Sequence, residues 1–161
     1  MANYTGADVI TTSDITKYQP DAFSFGIATS DTETTNFLAQ TTNDILRQLR
    51  IEWWPVYKTN VFTDITVLNT AEMVNTKVNL DQFERAGVYL FLGRFFCPAL
   101  SKFRPEAEKD RFERMAEYYM SEYNKEWKSI LEDGVEYDTD ASGTIVSNER
   151  EPLHGFRRLN R

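Results

Sequence analysis

The residues whose types and spacing come nearest to chemistry are Asp138, Asp140, Ser142, Thr144 and Glu149. Between Asp138 and Glu149, side-chain oxygens fall at the first, third and fifth positions, Gly143 at the sixth, Ile145 at the eighth and Glu149 at the twelfth. Calcium loops use that spacing because the ion takes about six to eight oxygens and glycine permits the sharp turn that wraps them round a point. The neighbouring residues point elsewhere. An EF-hand needs a helix on each side of the loop, whereas Gly134 interrupts the chain before it and Pro152 and Gly155 follow it. The ninth position is Val146, which brings no oxygen. An Asp/Gly-rich β-turn accounts for the same residues, with aspartates capping the turn and glycine supplying positive φ. The expectation is a turn without a metal, with cation binding through Asp138, Asp140, Ser142, Thr144 and Glu149 as the alternative.

Other candidates for chemistry are thinner. His154 sits beside Gly155 in a basic tail, a poor place for a positioned general base. Cys97 precedes Pro98 at the end of an apolar stretch, where a buried, inert thiol is the ordinary expectation. One cysteine and one histidine cannot make a Cys/His zinc site, a disulfide framework or a dithiol redox centre. Neither a glycine-rich phosphate loop nor a Gly-x-Ser-x-Gly elbow is present. The reading is no enzyme and no cofactor.

The 161 residues suit one domain, and 41% hydrophobic with 14% aromatic residues can build a core. Eighteen basic against 25 acidic residues give a formal charge of −7, which argues against a dedicated nucleic-acid binder, since phosphate contacts need a basic face. The most apolar run, 88–92, is far short of a bilayer span. Residues 1–10 show neither a basic nor an apolar segment, so no secretory leader is expected there, and Asn3-Tyr4-Thr5 reads as an incidental glycosylation triplet.

The elements that would position these residues read as follows. Residues 1–30 show no helical or strand period and are expected to form an extended arm. Phe37, Leu38, Ile45, Leu46 and Leu49 recur on one face, predicting a helix from about residue 31 to Trp53 or Trp54, before Pro55. Residues 56–68 are β-branched and aromatic, favouring a strand or irregular loop, with short helical turns as the alternative. A second helix is expected over about 79–96, capped by Asn79, stopped by Pro98, and apolar enough in its middle to be buried within its own bundle or against another subunit. A third runs from Pro105 to Gly134, with Phe112, Met115, Ala116, Tyr119, Tyr123, Trp127, Ile130 and Leu131 in one stripe. That stripe reads as core, and Trp53-Trp54 as core or an interface anchor. Short extended pieces, 135–137 and 144–146, predict a β-hairpin.

Charge divides the last thirty residues. Positions 132–149 carry six acids and no Lys or Arg, whereas 150–161 carry four arginines and one glutamate. A basic tail with two apolar anchors, Phe156 and Leu159, suits docking into another protein's groove, against the plainer alternative of a frayed terminus. The organisation expected is an extended arm at 1–30, a helical bundle at 31–134, a β-hairpin at 135–149 and a docking tail at 150–161. In class, the chain reads as mainly α.

The order of these pieces resembles the head-to-tail adaptor (connector) proteins of tailed bacteriophages. The resemblance is carried by Thr42-Asn43-Asp44-Ile45-Leu46-Arg47-Gln48-Leu49, by Ala86-Gly87-Val88-Tyr89-Leu90-Phe91-Leu92, and by Asp110-Arg111-Phe112 with Tyr118-Tyr119-Met120-Ser121-Glu122-Tyr123. Gly134-Val135-Glu136-Tyr137-Asp138, leading into Asp140 and Gly143, and the closing Arg157-Arg158-Leu159 complete it. It covers roughly residues 35–161 as order and texture, without a diagnostic signature. It implies a non-enzymatic structural virion protein at the head–tail junction, assembled in the host cytoplasm. Such a protein forms a ring, typically of twelve copies, under the portal protein, extends the DNA channel without specific DNA binding or any membrane contact, and offers a neck or tail-terminator protein a docking surface. By the same resemblance, Phe156, Arg157, Arg158, Leu159 and Arg161 would dock on the portal, and Tyr137, Asp138, Asp140, Gly143 and Glu149 would face a neighbouring subunit. The alternatives are a more distal neck or tail-completion protein and a calcium-binding interaction module.

Overall fold

A computed structural model describes residues 8–101, 110–145 and 149–151. The chain is mainly α. Its helices are α1 (Thr12–Tyr18), α2 (Thr32–Glu52), α3 (Trp54–Val61), α4 (Ile65–Thr70), α5 (Glu84–Leu90), α6 (Cys97–Leu100) and α7 (Arg111–Asp133), with a π-helical stretch, Phe91–Phe96, joining α5 to α6. The chain divides into two compact units. One comprises Asp8–Ile45 and Phe83–Trp127; the other holds Leu46–Gln82 and the described residues from Lys128 onward.

In the first unit residues 8–30 are folded, which corrects the extended arm expected there; residues 1–7 of that arm lie outside the described residues. Thr11 and Asp14 form a capping box: the Asp14 carboxylate accepts the Thr11 N–H at 2.9 Å while the Thr11 hydroxyl accepts the Asp14 N–H at 3.4 Å. Val9, Ile10, Ile15 and Ala22 are buried, so these apolar residues are core contacts, while Tyr18 stays exposed. Val9 and Ile10 lie over Gly87 of α5, where a Cβ would meet Val9 Cγ1 at 2.7 Å and Ile10 Cγ2 at 2.8 Å. Glycine is required there by close approach.

The expected second helix begins as a 3-10 turn, Leu80–Phe83, with Asn79 Oδ1 accepting the Asp81 N–H at 3.2 Å. Pro98 does not stop it. Cys97 N–H donates to Leu92 O, an i→i−5 bond, so the hydrogen-bond ladder shifts register at the point where proline brings no donor. Phe91, Leu92, Gly93 and Phe96 are buried within the chain itself. Phe91 stacks on Phe96, Phe37 stacks on Phe95, and Phe23 meets Phe96 edge-on. Gly93 lets this stretch approach α7, since a Cβ would stand 3.0 Å from Met120 N and 3.1 Å from Ala116 O. The expected start of the third helix at Pro105 lies outside the described residues. The first turn of α7 is capped by Asp110 and Glu113, each accepting the other's N–H at 2.8 and 3.2 Å.

The second unit overturns the strand-or-loop expectation for 56–68, in favour of short helices. Pro55 sits in the first turn of α3, where its missing N–H costs nothing, and Asp64 caps α4 by accepting the Thr66 N–H at 2.7 Å. Caps and buried Trp54 and Tyr57 override the β preference of the side chains between them. Trp53 and Trp54 are both buried, in contact with Tyr57 and Tyr137 at ring-centroid distances of 4.6 to 5.7 Å; they are core. α7 ends at Gly134, whose φ of +102° suits glycine at a helix C-terminus.

The expected β-hairpin is not formed as drawn. Its first arm, β1 (Val135–Glu136), pairs antiparallel with β2 (Arg150–Glu151), Val135 opposite Glu151 and Glu136 opposite Arg150. Thr144 and Ile145 belong to no strand, and Val146 lies outside the described residues. The physical reason is in the loop itself: carboxylates take the amides of Thr139, Asp140, Ser142 and Gly143, and the Ser142 hydroxyl accepts that of Thr144, where a hairpin would need a partner strand.

Candidate functional site

The loop that carries the calcium-type spacing starts from a fixed base. α7 stops at Gly134, and β1 is then held from its far side by three contacts. Asn79 N–H donates to Glu136 O at 3.0 Å, Asp138 N–H to Lys77 O at 2.8 Å, and the Gln82 side chain bridges Gly134 O and Glu136 N–H at 2.7 and 3.0 Å. The Glu136 carboxylate receives Asn79 Nδ2 at 2.5 Å and pairs with Arg150 of β2. Tyr137, buried among Trp53, Trp54 and Tyr57, accepts the Val74 N–H on its hydroxyl at 3.2 Å, and burial pushes its pKa up.

From that base Asp138, Asp140 and Glu149 converge, with one carboxylate oxygen of each within 4.8 Å of the others. Asp138 and Glu149 are buried and Asp140 is exposed. Two buried carboxylates need strong donors, and the loop supplies backbone amides. Asp138 Oδ1 and Oδ2 accept the N–H groups of Ser142 at 3.0 Å and Gly143 at 2.8 Å. Glu149 Oε1 accepts those of Thr139 at 2.8 Å and Asp140 at 3.5 Å. Asp140 Oδ1 shares the Ser142 N–H at 2.9 Å, and hydrogen bonds from Ser142 hold its pKa below the usual carboxylate range. The chain bends through Ala141 at φ +60° and Gly143 at φ +78°, the left-handed conformation that brings these amides inward.

Of the sequence-predicted site residues, Tyr137, Asp138, Asp140, Gly143 and Glu149 are therefore brought together. Ser142 enters through its amide, while its hydroxyl turns to Thr144, donating to Thr144 O at 3.1 Å. Among the described residues the loop is flanked by β1 and β2, where an EF-hand would have two helices. Phe156, Arg157, Arg158, Leu159 and Arg161, and His154, lie outside the described residues. Cys97 is buried, with desolvation raising its thiol pKa to about 11, a poor nucleophile at neutral pH.

Sequence reasoning missed the residues that anchor the loop. Lys77 Nζ donates to Thr139 O at 2.6 Å, and Tyr57 shares a hydrogen bond of 2.7 Å with the Thr139 hydroxyl. These anchors stand far away in the chain, and no local spacing marks them. Chemically, the arrangement can fix a rigid acidic turn, and its converging carboxylates are of the kind that hold a hard cation. No family model matches the chain, and no curated protein or solved structure matches it significantly.

Proposed function

We propose that this chain is a structural virion protein, a head-to-tail adaptor that forms a ring under the portal of a tailed bacteriophage. There it extends the DNA channel and gives the neck or tail a docking surface. The reading begins from the order of sequence elements described above. The observation that carries it further is apolar surface left uncovered. α4 buries none of its residues, and Ile65, its first residue, is 73% exposed. A ring subunit must keep such surface for its neighbours. The surface expected to play this part, the apolar helix at 79–96, is covered within the chain, so the assembly face moves to the α3–α4 region. The acidic charge of −7 fits a channel through which a duplex slides without phosphate attraction. Negative-stain microscopy of this protein mixed with the portal ring of the same virus tests the reading. Added ring density at the portal's outer end is expected; a bare portal beside well-folded protein refutes it, and density bound only after a further neck protein is added moves the chain to the distal layer.

The convergence of Asp138, Asp140 and Glu149 within 4.8 Å favours one second reading, a calcium-binding interaction module. Titration calorimetry with Ca²⁺ decides it: stoichiometric micromolar binding supports the module, and the absence of heat removes it.

A further inference from the structure

Two of the large side chains left exposed among the described residues are tyrosines joined through two others. Tyr18 of α1, 41% exposed, meets Tyr89 of α5 edge-on at 6.1 Å between ring centroids. Tyr89 stacks on Tyr119 of α7 at 6.2 Å, and Tyr119 meets Tyr118, 60% exposed, at 5.3 Å. Tyr119 is buried, and its hydroxyl donates to Gln19 Oε1 at 2.8 Å. A single exposed apolar residue is ordinary surface. Here ring contacts carry the row across three helices of one compact unit.

Charged pairs run alongside the row. Lys17 pairs with Asp14 at 2.6 Å and with Glu84 at 3.4 Å, and Arg85 lies over the Tyr89 ring. Arg85 also reaches Glu126 of α7 at 3.6 Å, and Lys125 pairs with Glu122 at 2.6 Å. On α7, Arg114, Tyr118, Glu122 and Glu126 follow at four-residue spacing, each beside the last on the helix surface. The path from Tyr118 to Glu126, across to Arg85 and back to Tyr89 and Tyr18 is therefore unbroken. Its tyrosines and arginines are of the types in which binding energy concentrates.

Charge decides what such a patch fits. Its α1–α5 end carries Asp14, Lys17, Glu84 and Arg85, and its α7 end Arg114, Glu122, Lys125 and Glu126, two cations and two acids at each. The whole chain carries −7, so two copies repel over most of their surface but not over this part of it. A two-fold turn lays one end of the patch on the other, and each end offers both signs to its counterpart, as an isologous contact requires. A strongly acidic or strongly basic partner gains nothing from a balanced surface.

We propose that the tyrosine row of α1, α5 and α7 is the contact face for a second copy of this chain, the same patch meeting on both, with Tyr18 and Tyr118 as anchors. The contact goes beyond the adaptor reading and does not depend on it, since a two-fold pair does not by itself close a ring. Sedimentation of the full chain from about 1 to about 500 µM is the test. The wild type is expected to pass from monomer to dimer. Tyr118→Ala and, separately, Tyr18→Ala should each weaken that association by about tenfold or more, with circular dichroism verifying the fold. Ile51→Ala, at an exposed residue of α2 outside the patch, should leave it unchanged. A wild type that stays monomeric, or a dimer indifferent to both tyrosine substitutions, overturns the proposal. So does a monomer whose binding to the portal ring is lost with Tyr118→Ala, which gives the patch to another protein.

Discussion

Replacing Gly87 by alanine tests whether the opening segment is core. In an open helix the exchange stabilises by about 1 kcal/mol, because alanine restricts the unfolded chain and is the best helix former. Here the new methyl would stand 2.7 Å from Val9 Cγ1 and 2.8 Å from Ile10 Cγ2, well inside carbon–carbon contact at roughly 3.5–4.0 Å. Both neighbours are β-branched and stiff at χ1, and both are buried, so neither can swing aside. Overpacking of this kind costs about 1–3 kcal/mol. A ceiling is set by the segment lifting off altogether, which forfeits burial of two aliphatic side chains at about 1.5–3 kcal/mol each. After the propensity gain, Gly87→Ala should be destabilised by about 0–2 kcal/mol, where an open helix would gain stability. Urea unfolding followed by the fluorescence of Trp53, Trp54 and Trp127 measures it. Adding Val9→Ala removes one of the two clashing methyls, so the double variant should lose less than the sum of the two single changes. A Gly87→Ala protein more stable than wild type by about 1 kcal/mol, as in an open helix, or strictly additive changes, would refute the packing of residues 8–10 on α5.

Three further outcomes are expected. Glu149→Ala leaves the Thr139 amide and the longer Asp140 contact without their acceptor and should cost about 1–3 kcal/mol; Glu149→Gln, which keeps an acceptor, should cost less, and equal losses in urea unfolding would show that the amide contacts are not what matters. Tyr57→Phe removes the hydroxyl bonded to Thr139 and should lower stability by about 1 kcal/mol while speeding hydrogen exchange at Thr139; unchanged exchange would detach the aromatic core from the loop. Asp14, held below its ordinary pKa of 3.8 against opposing desolvation by hydrogen bonds from Lys17 and Thr11, has its folded pKa depressed. Its stabilisation is present above the unfolded value and lost as pH falls through the folded one, so α1 amide signals should shift with pH below about 4 in the wild type and lose that titration in Asp14→Ala.

The long helices are legible because their signals repeat. α2 and α7 each offer several turns of apolar period, and Gly134 ends α7 where the left-handed conformation is needed. α1 hides because it is only about two turns long with Ile15 its only buried residue; no period can show in so short a stretch, and its capping box uses Asp14 where glutamate is the commoner sign. α3 and α4 hide for the opposite reason. Their side chains favour strands, and what decides the outcome is Pro55 and Asp64 at the helix starts together with the anchoring of Trp54 and Tyr57. In the site, the spacing from Asp138 to Glu149 is plain in the sequence, but Lys77, Asn79 and Gln82 are brought to it by tertiary structure alone.

Whether the acidic loop is a turn or a cation site can be reasoned from where its amides point. Asp138 and Glu149 are buried and accept amide N–H groups from Thr139, Ser142 and Gly143 at 2.8 to 3.0 Å, so the positive ends of backbone dipoles already offset the charge that a cation would offset. Charge-assisted bonds of this kind contribute about 1.5–3 kcal/mol each, enough for the loop to hold its shape with protein groups alone. A carboxylate has about four lone-pair directions, so Asp138 is not exhausted by two amides, and a cation would be held at the side facing away from them. Hydrogen exchange separates the cases. If Ca²⁺ adds to the loop as it stands, the Thr139 and Gly143 amides stay protected and slow further. If Ca²⁺ must replace the amides as the partner of Asp138 and Glu149, those two exchange faster on binding. A loop whose exchange is untouched by millimolar Ca²⁺ is a turn, with Asp138 and Glu149 holding its shape from within and Asp140 left exposed.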